Sequence, residues 1–221
     1  TLTQPTQLTV TAEVQGTEAR NQWNLWVYPS EKNAVETMPY ITTRIDATAR
    51  KRLEQGGSVL LLTYGTIPPE KGGNIAVGFS SIFWNTAWTR GQAPHTLGIC
   101  CDPQHPALAA FPNEGVSDYQ WWDLMNRCEA MQMDDLPQEL RPIVYLIDDW
   151  FTNRRLGMLF EARIGKGKIL VCSADLQHDL PSRPAAAQFR QSLLEYMASD
   201  KFQPQTEINI NDLTYDNNEK K

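Results

Sequence analysis

The sequence predicts an α/β protein in which helices cover both faces of a mainly parallel sheet. Residues 58–63 (SVLLLT) and 168–172 are two short, almost wholly apolar runs, which is typical of strands buried on both faces. A helical pattern precedes the first run: Asp46 is suited to an N-cap, apolar residues recur at helical spacing over residues 45–53, and Gly56-Gly57 can end the helix. A helix that leads through glycine into an apolar strand indicates half of a β-α-β unit.

The centre of the predicted sheet lies within residues 141–176. Residues 143–147 are apolar and rich in β-branched and aromatic side chains, which predicts a buried strand. Residues 156–164 alternate apolar with charged residues, so we expect one face of this strand to meet water. Gly165-Lys166-Gly167 is a turn of hairpin length. We therefore expect an antiparallel hairpin over residues 156–173.

The N-terminal residues follow a different pattern. Residues 7–14 and 21–28 alternate apolar with polar side chains on either side of a glycine-bearing turn, which favours an antiparallel β-hairpin. We divide the chain into a hairpin over residues 1–29, which we expect to end a preceding β-sandwich, an α/β domain over 30–202, and a polar tail over 203–221.

Two further segments have helical spacing. In residues 118–128 (DYQWWDLMNRC) this spacing places Trp121 toward the core and Trp122 about 100° around the helix, toward a rim. Pro184 opens the last helix, where its missing N–H costs nothing. We expect this last helix to pack on the sheet.

Composition and charge exclude several functions. The chain has 221 residues, a formal net charge of -6 and no long Lys/Arg cluster, so we predict no nucleic-acid partner. No apolar run approaches the ~20 residues of a membrane span. The four cysteines include an adjacent pair, and we interpret them as free thiols rather than a disulfide framework. The three histidines are scattered and no glycine-rich phosphate loop opens a helix, so we predict no metal and no cofactor.

The predicted binding site lies at the strand ends, because ligands of open α/β sheets bind beyond the carboxyl ends of the strands. Four stretches are expected to converge there: Tyr64-Gly65-Thr66, Trp84-Asn85-Thr86, Asp148-Asp149-Trp150 and Ser173-Ala174-Asp175. Aromatic rings suit the apolar faces of sugars, while amide and carboxylate groups suit sugar hydroxyls. The predicted ligand-binding residues are Trp84, Asn85, Trp88, Asp149, Trp150 and Asn153. In the competing interpretation the tryptophans are half-buried packing residues and the acids cap loops.

One motif suggests a nucleophile. Residues 98–104 (GICCDPQ) resemble the nucleophile elbow of class I glutamine amidotransferases, in which a strained turn presents a cysteine to a histidine. In this sequence Cys100 and His178 take the corresponding positions. The glycine that permits the tight turn is replaced by Asp102, and no His-x-Glu accompanies the histidine.

Three longer strings carry a family resemblance: residues 21–29 (NQWNLWVYP), 111–124 (FPNEGVSDYQWWDL) and 141–176 (RPIVYLIDDWFTNRRLGMLFEARIGKGKILVCSADL). Over roughly residues 8–200 the chain resembles the C-terminal region of bacterial glycoside hydrolases of family 2, of the β-galactosidase-like type. The resemblance implies a flavodoxin-like domain, similar to class I glutamine amidotransferases and to ThuA-like (trehalose-utilisation) proteins. It also implies export to the periplasm or cell surface. The catalytic glutamates of that family belong to a barrel of typically ~250 residues, so no catalytic residue is assigned here.

These observations lead to three hypotheses. The first is a non-catalytic accessory or interaction domain of a glycoside hydrolase that acts on β-galactoside-type glycans, with the other domains of that enzyme as partners. The second is a carbohydrate-binding module that uses the strand-end residues given above. The third is a divergent amidotransferase-like hydrolase that uses Cys100.

Overall fold

A computed structural model of the protein describes residues 2–213, apart from the side chain of Asn85. The chain begins with two strands, β1 (Thr6–Glu13) and β2 (Arg20–Val27), which form an antiparallel sheet of their own. Leu8 pairs with Leu25 in this sheet. The predicted N-terminal hairpin is confirmed.

The remaining strands of the described residues form one mixed sheet of seven strands. They are β3 (Tyr40–Thr42), β4 (Ser58–Leu62), β5 (Thr96–Cys101), β6 (Met131–Gln132), β7 (Val144–Asp148), β8 (Leu156–Ile164) and β9 (Gly167–Cys172). Their order is β3-β4-β9-β8-β7-β5, and β6 pairs with β8. The α/β class is confirmed, as is the antiparallel β8-β9 hairpin.

Strand direction differs from the expected mainly parallel sheet. Strands β3, β4 and β9 are parallel to one another, whereas β8 runs antiparallel to β9 and β7, and β5 runs antiparallel to β7. For β8 the reason is the length of the connections on either side of it. A parallel pair needs a crossover of a dozen or more residues, and residues 149–155 between β7 and β8 are too few to supply one. The parallel order therefore holds for one half of the sheet.

Helices cover both faces of the sheet, as predicted. They are α1 (Ala47–Glu54) on one face and α3 (Tyr119–Asn126) and α4 (Pro184–Ala198) on the other, while the short α2 (Asn85–Trp88) lies at the surface. The Asp46 carboxylate caps α1 by accepting the Ala49 N–H at 2.7 Å. Along β4, Val59 packs in the core cluster that includes α1, while Leu60 packs in the cluster that includes α3 and α4. Strand β4 is therefore buried on both faces.

The last described residues are packed rather than loose. Strand β7 pairs with residues 156–159 of β8, which leaves the edge of β8 open around Arg163. There the Arg163 N–H donates to the Thr206 carbonyl at 2.8 Å, and the Ile208 N–H donates to the Arg163 carbonyl at 3.0 Å. Ile208 and Leu213 are buried. Residues 203–213 of the predicted polar tail therefore complete the sheet, and residues 214–221 lie outside the described residues.

Candidate functional site

The carboxyl ends of four strands lie at one edge of the sheet. Strands β3, β4 and β9 are parallel, and β7 runs in the same direction as β9 because each is antiparallel to β8 between them. Strand β5 starts at this edge, since Thr96 pairs with Asp148 at the end of β7. The four predicted stretches are therefore at the same edge.

The structure nevertheless brings these stretches together in two pairs. The loop after β4 meets the end of β9, where the Thr63 N–H donates to the Cys172 carbonyl at 2.9 Å. The loop before α2 meets the loop after β7, where the Trp150 N–H donates to the Phe83 carbonyl at 3.3 Å. Between the two pairs lies the segment of residues 128–132, in which Cys128 bridges to Ala174 and β6 pairs with β8. The strand ends thus form two separate regions.

In the first region the polar groups stabilise the loops. The Glu129 carboxylate accepts the Gly65 N–H at 2.9 Å and the Ile67 N–H at 3.2 Å. Cys128 is buried, and this burial raises the pKa of its thiol despite a hydrogen bond with Ser173. A protonated buried thiol is a poor nucleophile. These contacts stabilise the loops around Tyr64 and Ser173.

A charged cluster follows β9. Asp175 is 3% exposed, and its Oδ1 lies 3.0 Å from Nδ1 of His178. Its Oδ2 lies 3.4 Å from the Arg183 guanidinium and 3.6 Å from that of Arg127. Burial tends to raise the pKa of Asp175, but hydrogen bonds from the backbone of residues 177–178 and from His178 outweigh burial and lower it. The carboxylate therefore stays charged and holds the loop that leads to α4.

In the second region both acids point inward. Asp148 binds Arg154 through two hydrogen bonds. Asp149 accepts the N–H groups of Phe151 and Thr152 at 2.9 and 3.0 Å and the Thr152 hydroxyl at 2.6 Å. Burial acts to raise the pKa of Asp149, yet these hydrogen bonds lower it overall. The Asp149 carboxylate thus caps the loop that carries Trp150, and its role as a ligand group stays a prediction.

Four aromatic side chains, Phe83, Trp84, Trp88 and Trp150, surround this capped loop, and we refer to them as the aromatic rim. The ring centroids of Phe83 and Trp84 are 4.5 Å apart, those of Phe83 and Trp150 5.7 Å, and those of Trp84 and Trp88 6.3 Å. Trp88 is 76% exposed and Trp150 is 70% exposed. The rim therefore presents aromatic faces to solvent.

The predicted site residues have different outcomes. Trp84, Trp88 and Trp150 come together, with Asp149 beneath them as the cap. Asn153 is exposed at the end of the loop, in a left-handed conformation with φ of 51°, and its N–H donates to the Asp149 carbonyl. The side chain of Asn85 lies outside the described residues.

Sequence reasoning missed two features of this surface. Phe83 links the tryptophans, and its signal was the aromatic run Phe83-Trp84 within an otherwise irregular loop. A cavity of about 660 Å³ also lies beside α3, between Phe79, Pro94, Tyr119 and Trp122. Trp122 is 66% exposed there, whereas Trp121 is fully buried, as the helical spacing predicts.

The cysteine motif does not form an elbow. Cys100 lies inside β5 and pairs with Tyr145 of β7, rather than on a turn after the strand. Strands β5 and β9 are three strand spacings apart, each about 4.8 Å. In the described part of the chain, no imidazole forms a hydrogen bond with the Cys100 thiol, and the ring of His178 is held at Asp175. The edge strand thus replaces the strained turn that the motif requires.

Among residues 2–213 there is no group of three or more His, Cys, Asp or Glu side chains with the spacing of a metal site. Over the same residues, no helix has the length and apolar character needed to cross a membrane.

Comparison with known proteins separates the hairpin from the α/β body. Residues 40–215 match the family model described as "Domain of unknown function (DUF8487)", and residues 1–29 match a second one, described as "Domain of unknown function (DUF8488)". A comparison with curated proteins found no match to the chain.

Proposed function

This chain belongs to the family described as "Domain of unknown function (DUF8487)", and we propose that it is a non-catalytic accessory domain that binds a glycan through the aromatic rim. The observation that carries the proposal is the set of exposed indole faces at Trp84, Trp88 and Trp150, held by an internally satisfied loop. Exposed aromatic clusters of this kind are typical of binding surfaces, since they cost solvation energy unless a partner covers them.

The ring arrangement supports a sugar ligand. Indole rings offer large, rigid apolar faces at little conformational cost, and their N–H groups can meet hydroxyls. The exposed Asn153 side chain lies at the end of the same loop and adds an amide for hydroxyl recognition. A glycan chain of several units would contact Trp88 and Trp150 through successive apolar ring faces.

The hydrogen bonds of the acidic side chains at the strand ends support a non-catalytic role. A general acid or nucleophile must be within hydrogen-bond reach of a base or substrate. At this sheet edge Asp148 is bound to Arg154, Asp149 caps its loop, and Asp175 is held by His178 and two arginines. Binding rather than bond cleavage is therefore the function that these groups favour.

The sequence resemblance supplies the context of the proposal. Similarity to the C-terminal region of family 2 glycoside hydrolases favours an accessory domain of an exported enzyme that acts on β-galactoside-type glycans, with a flavodoxin-like, amidotransferase-like ancestry for the α/β body. The mixed sheet would then be a modified form of that fold, in which β8 and β5 run opposite to β3, β4, β9 and β7.

Calorimetric titration with galactosides and plant oligosaccharides tests the proposal. We expect the wild-type chain to bind at least one oligosaccharide. Trp88→Ala or Trp150→Ala should weaken that binding at least about tenfold, because one lost aromatic contact costs about 1.4 kcal/mol and this energy corresponds to a factor of ten in affinity. Trp122→Ala is the matched control, because Trp122 is similarly exposed but lies on α3 outside the rim. Equal losses in all three variants, or no binding across the panel, would contradict a glycan site at the rim.

A second candidate function is docking of another domain of the parent enzyme on the same rim. It is favoured by the angles between the rings, which are 88°, 61° and 52° for the three contacting pairs, so that the rim is contoured rather than flat. Binding of a separately purified catalytic domain, lost in Trp150→Ala while no oligosaccharide binds, would favour this function. The hydrolase hypothesis based on Cys100 requires activity that disappears in Cys100→Ser.

A further inference from the structure

The N-terminal hairpin turns its apolar side to solvent. Cross-strand partners in an antiparallel pair point to the same face, so the register Leu8–Leu25 and Val10–Trp23 gathers large apolar side chains on one side. We call this side the apolar face. Its members are Leu8, Val10, Val14, Trp23, Leu25 and Val27, each at least 36% exposed.

The opposite side of the hairpin is fastened to the α/β body. Gln7 donates to the Glu114 carboxylate at 3.0 Å, and the Trp26 indole N–H donates to the Asp118 carboxylate at 3.3 Å. Just beyond β2, the Tyr28 hydroxyl donates to Gln120 at 2.5 Å. The polar side of the hairpin therefore faces the α/β body. In most antiparallel sheets it is the apolar side that packs on the core. These contacts hold the hairpin with its apolar face turned away from the α/β body.

A hairpin with an exposed apolar face is expected to pack against a second β-layer. A two-stranded sheet is marginally stable in water unless another element packs on it. The apolar face offers on the order of 500 Å² of apolar surface, at the upper end of the largest patch on a typical monomer. Two such faces packed together would bury on the order of 1,000 Å², which is the lower limit for a specific interface.

The charge distribution permits two copies to meet here. The chain carries a net charge of -6, so most pairings of its surface bring like charges together. The apolar face contains no charged side chain. The charged residues of the two strands, Glu13 and Arg20, lie on the opposite side of the hairpin, 3.8 Å apart. Ala12, the small residue of the face, leaves room for a large side chain of a facing copy.

We propose that the apolar face is a homodimer interface, in which the hairpins of two copies of this chain pack face to face as a two-layer β-sandwich. A two-fold axis that lies between the two faces, perpendicular to the strands and midway between these two rows, would place the pair Val10–Trp23 of one copy over Leu8–Leu25 of the other. The surface is self-complementary, as an isologous interface requires. This role is independent of the aromatic rim.

Sedimentation equilibrium of the chain tests the proposal. We expect a reversible dimer over about 1 to about 200 μM, the range in which an interface of this size associates. Leu25→Lys places a charge in each half of the interface and should weaken the dimer at least about 100-fold. Asn24→Lys is the matched control, since it adds the same charge one residue away on the opposite side, and it should leave the dimer intact.

Two additional variants make the result decisive. Val10→Lys should act like Leu25→Lys while the far-ultraviolet circular dichroism of both stays that of the wild type, which separates loss of the interface from loss of the fold. Trp88→Ala should leave the dimer unchanged. A wild-type chain that stays monomeric throughout would overturn the proposal in favour of a different β-sheet as the occupant. Equal effects of Leu25→Lys and Asn24→Lys, or loss of the dimer in Trp88→Ala, would overturn the assigned face.

Discussion

The Asp148 carboxylate and the Arg154 guanidinium form a bidentate ion pair across the loop that carries Trp150, with Nε to Oδ2 at 2.8 Å and Nη2 to Oδ1 at 2.9 Å. The Arg154 N–H also donates to Oδ2 at 2.7 Å. Side-chain exposure is 1% for Asp148 and 26% for Arg154, so the pair is largely shielded from solvent. It closes the loop at its base and thereby holds the aromatic rim against the end of β7.

Removal of the arginine from this pair should destabilise the protein strongly. Arg154→Met leaves a buried carboxylate without its partner, and we expect a loss of about 3 kcal/mol in the free energy of unfolding. Urea denaturation measures this loss. Arg163→Met is the control, because Arg163 pairs with Glu207 at the surface and such pairs contribute about 1 kcal/mol or less. Similar losses in both variants would contradict a special role for the shielded pair.

Glu161 should make stability depend on pH. Burial raises the pKa of Glu161, and the hydrogen bond from the Tyr196 hydroxyl and the charge of Lys168 oppose this effect without cancelling it. A carboxyl whose folded pKa is raised contributes stability below its unfolded pKa of about 4.3, and this contribution is lost as the pH rises through the folded pKa. Glu161→Gln stays neutral and still accepts the Tyr196 hydroxyl.

We therefore expect Glu161→Gln to be more stable than the wild type at neutral pH, with a difference that shrinks toward about pH 4. The urea midpoints of the two proteins, measured across this range, provide the comparison. Glu139→Gln, at an exposed position, should follow the wild type at each pH. A glutamine variant that is less stable at neutral pH would show that the charge of Lys168 outweighs the effect of burial.

Glycines at the β8-β9 turn should respond differently to alanine. A Cβ on Gly167 would lie 2.5 Å from the Cα of Leu53, so Gly167→Ala must push α1 away from the sheet. Gly165 has a φ of 57° and open space around it, so Gly165→Ala meets backbone strain alone. We expect the free energy of unfolding to fall by about 3 kcal/mol in Gly167→Ala, through overpacking, and by about 1 kcal/mol in Gly165→Ala, through backbone strain. Thermal or urea unfolding that ranks them in the reverse order would contradict this tight helix-sheet contact.

The parts of the fold that follow from local patterns were predictable from the sequence. Strand β4 reads as a continuous apolar run because alternate residues enter different core clusters, as Val59 and Leu60 do. The cap at Asp46 and the turn at Gly165 rest on interactions within a few residues. The direction of β8 relative to β9 followed from the hairpin turn at residues 165–167, whereas the antiparallel direction of β5 did not follow from its sequence, because an apolar run does not fix the direction of a strand.

The site was less predictable because it depends on contacts between distant segments. Residues 128–132 lie beside β8 and divide the strand ends into two regions. The spacing of apolar residues in this segment does not predict that position. Asp149 has the composition of a ligand group, yet the Thr152 hydroxyl three residues later turns its carboxylate inward. The burial of Ile208 likewise requires the open edge of β8, which is a property of the assembled sheet.

Thiol labelling should distinguish Cys100 from the other cysteines. Cys100 is exposed on the edge strand, whereas Cys101, Cys128 and Cys172 are buried, and burial raises the pKa of Cys101 and of Cys172 to about 12. Because the thiolate is the reactive species, we expect a maleimide to label one thiol rapidly in the folded chain and all four in urea. In Cys100→Ser the rapid phase of labelling should be absent, while the midpoint of urea unfolding should equal that of the wild type. A second rapid label in the folded chain would mean that the sheet opens locally at β5 or β9, since the buried thiols can react by that route alone.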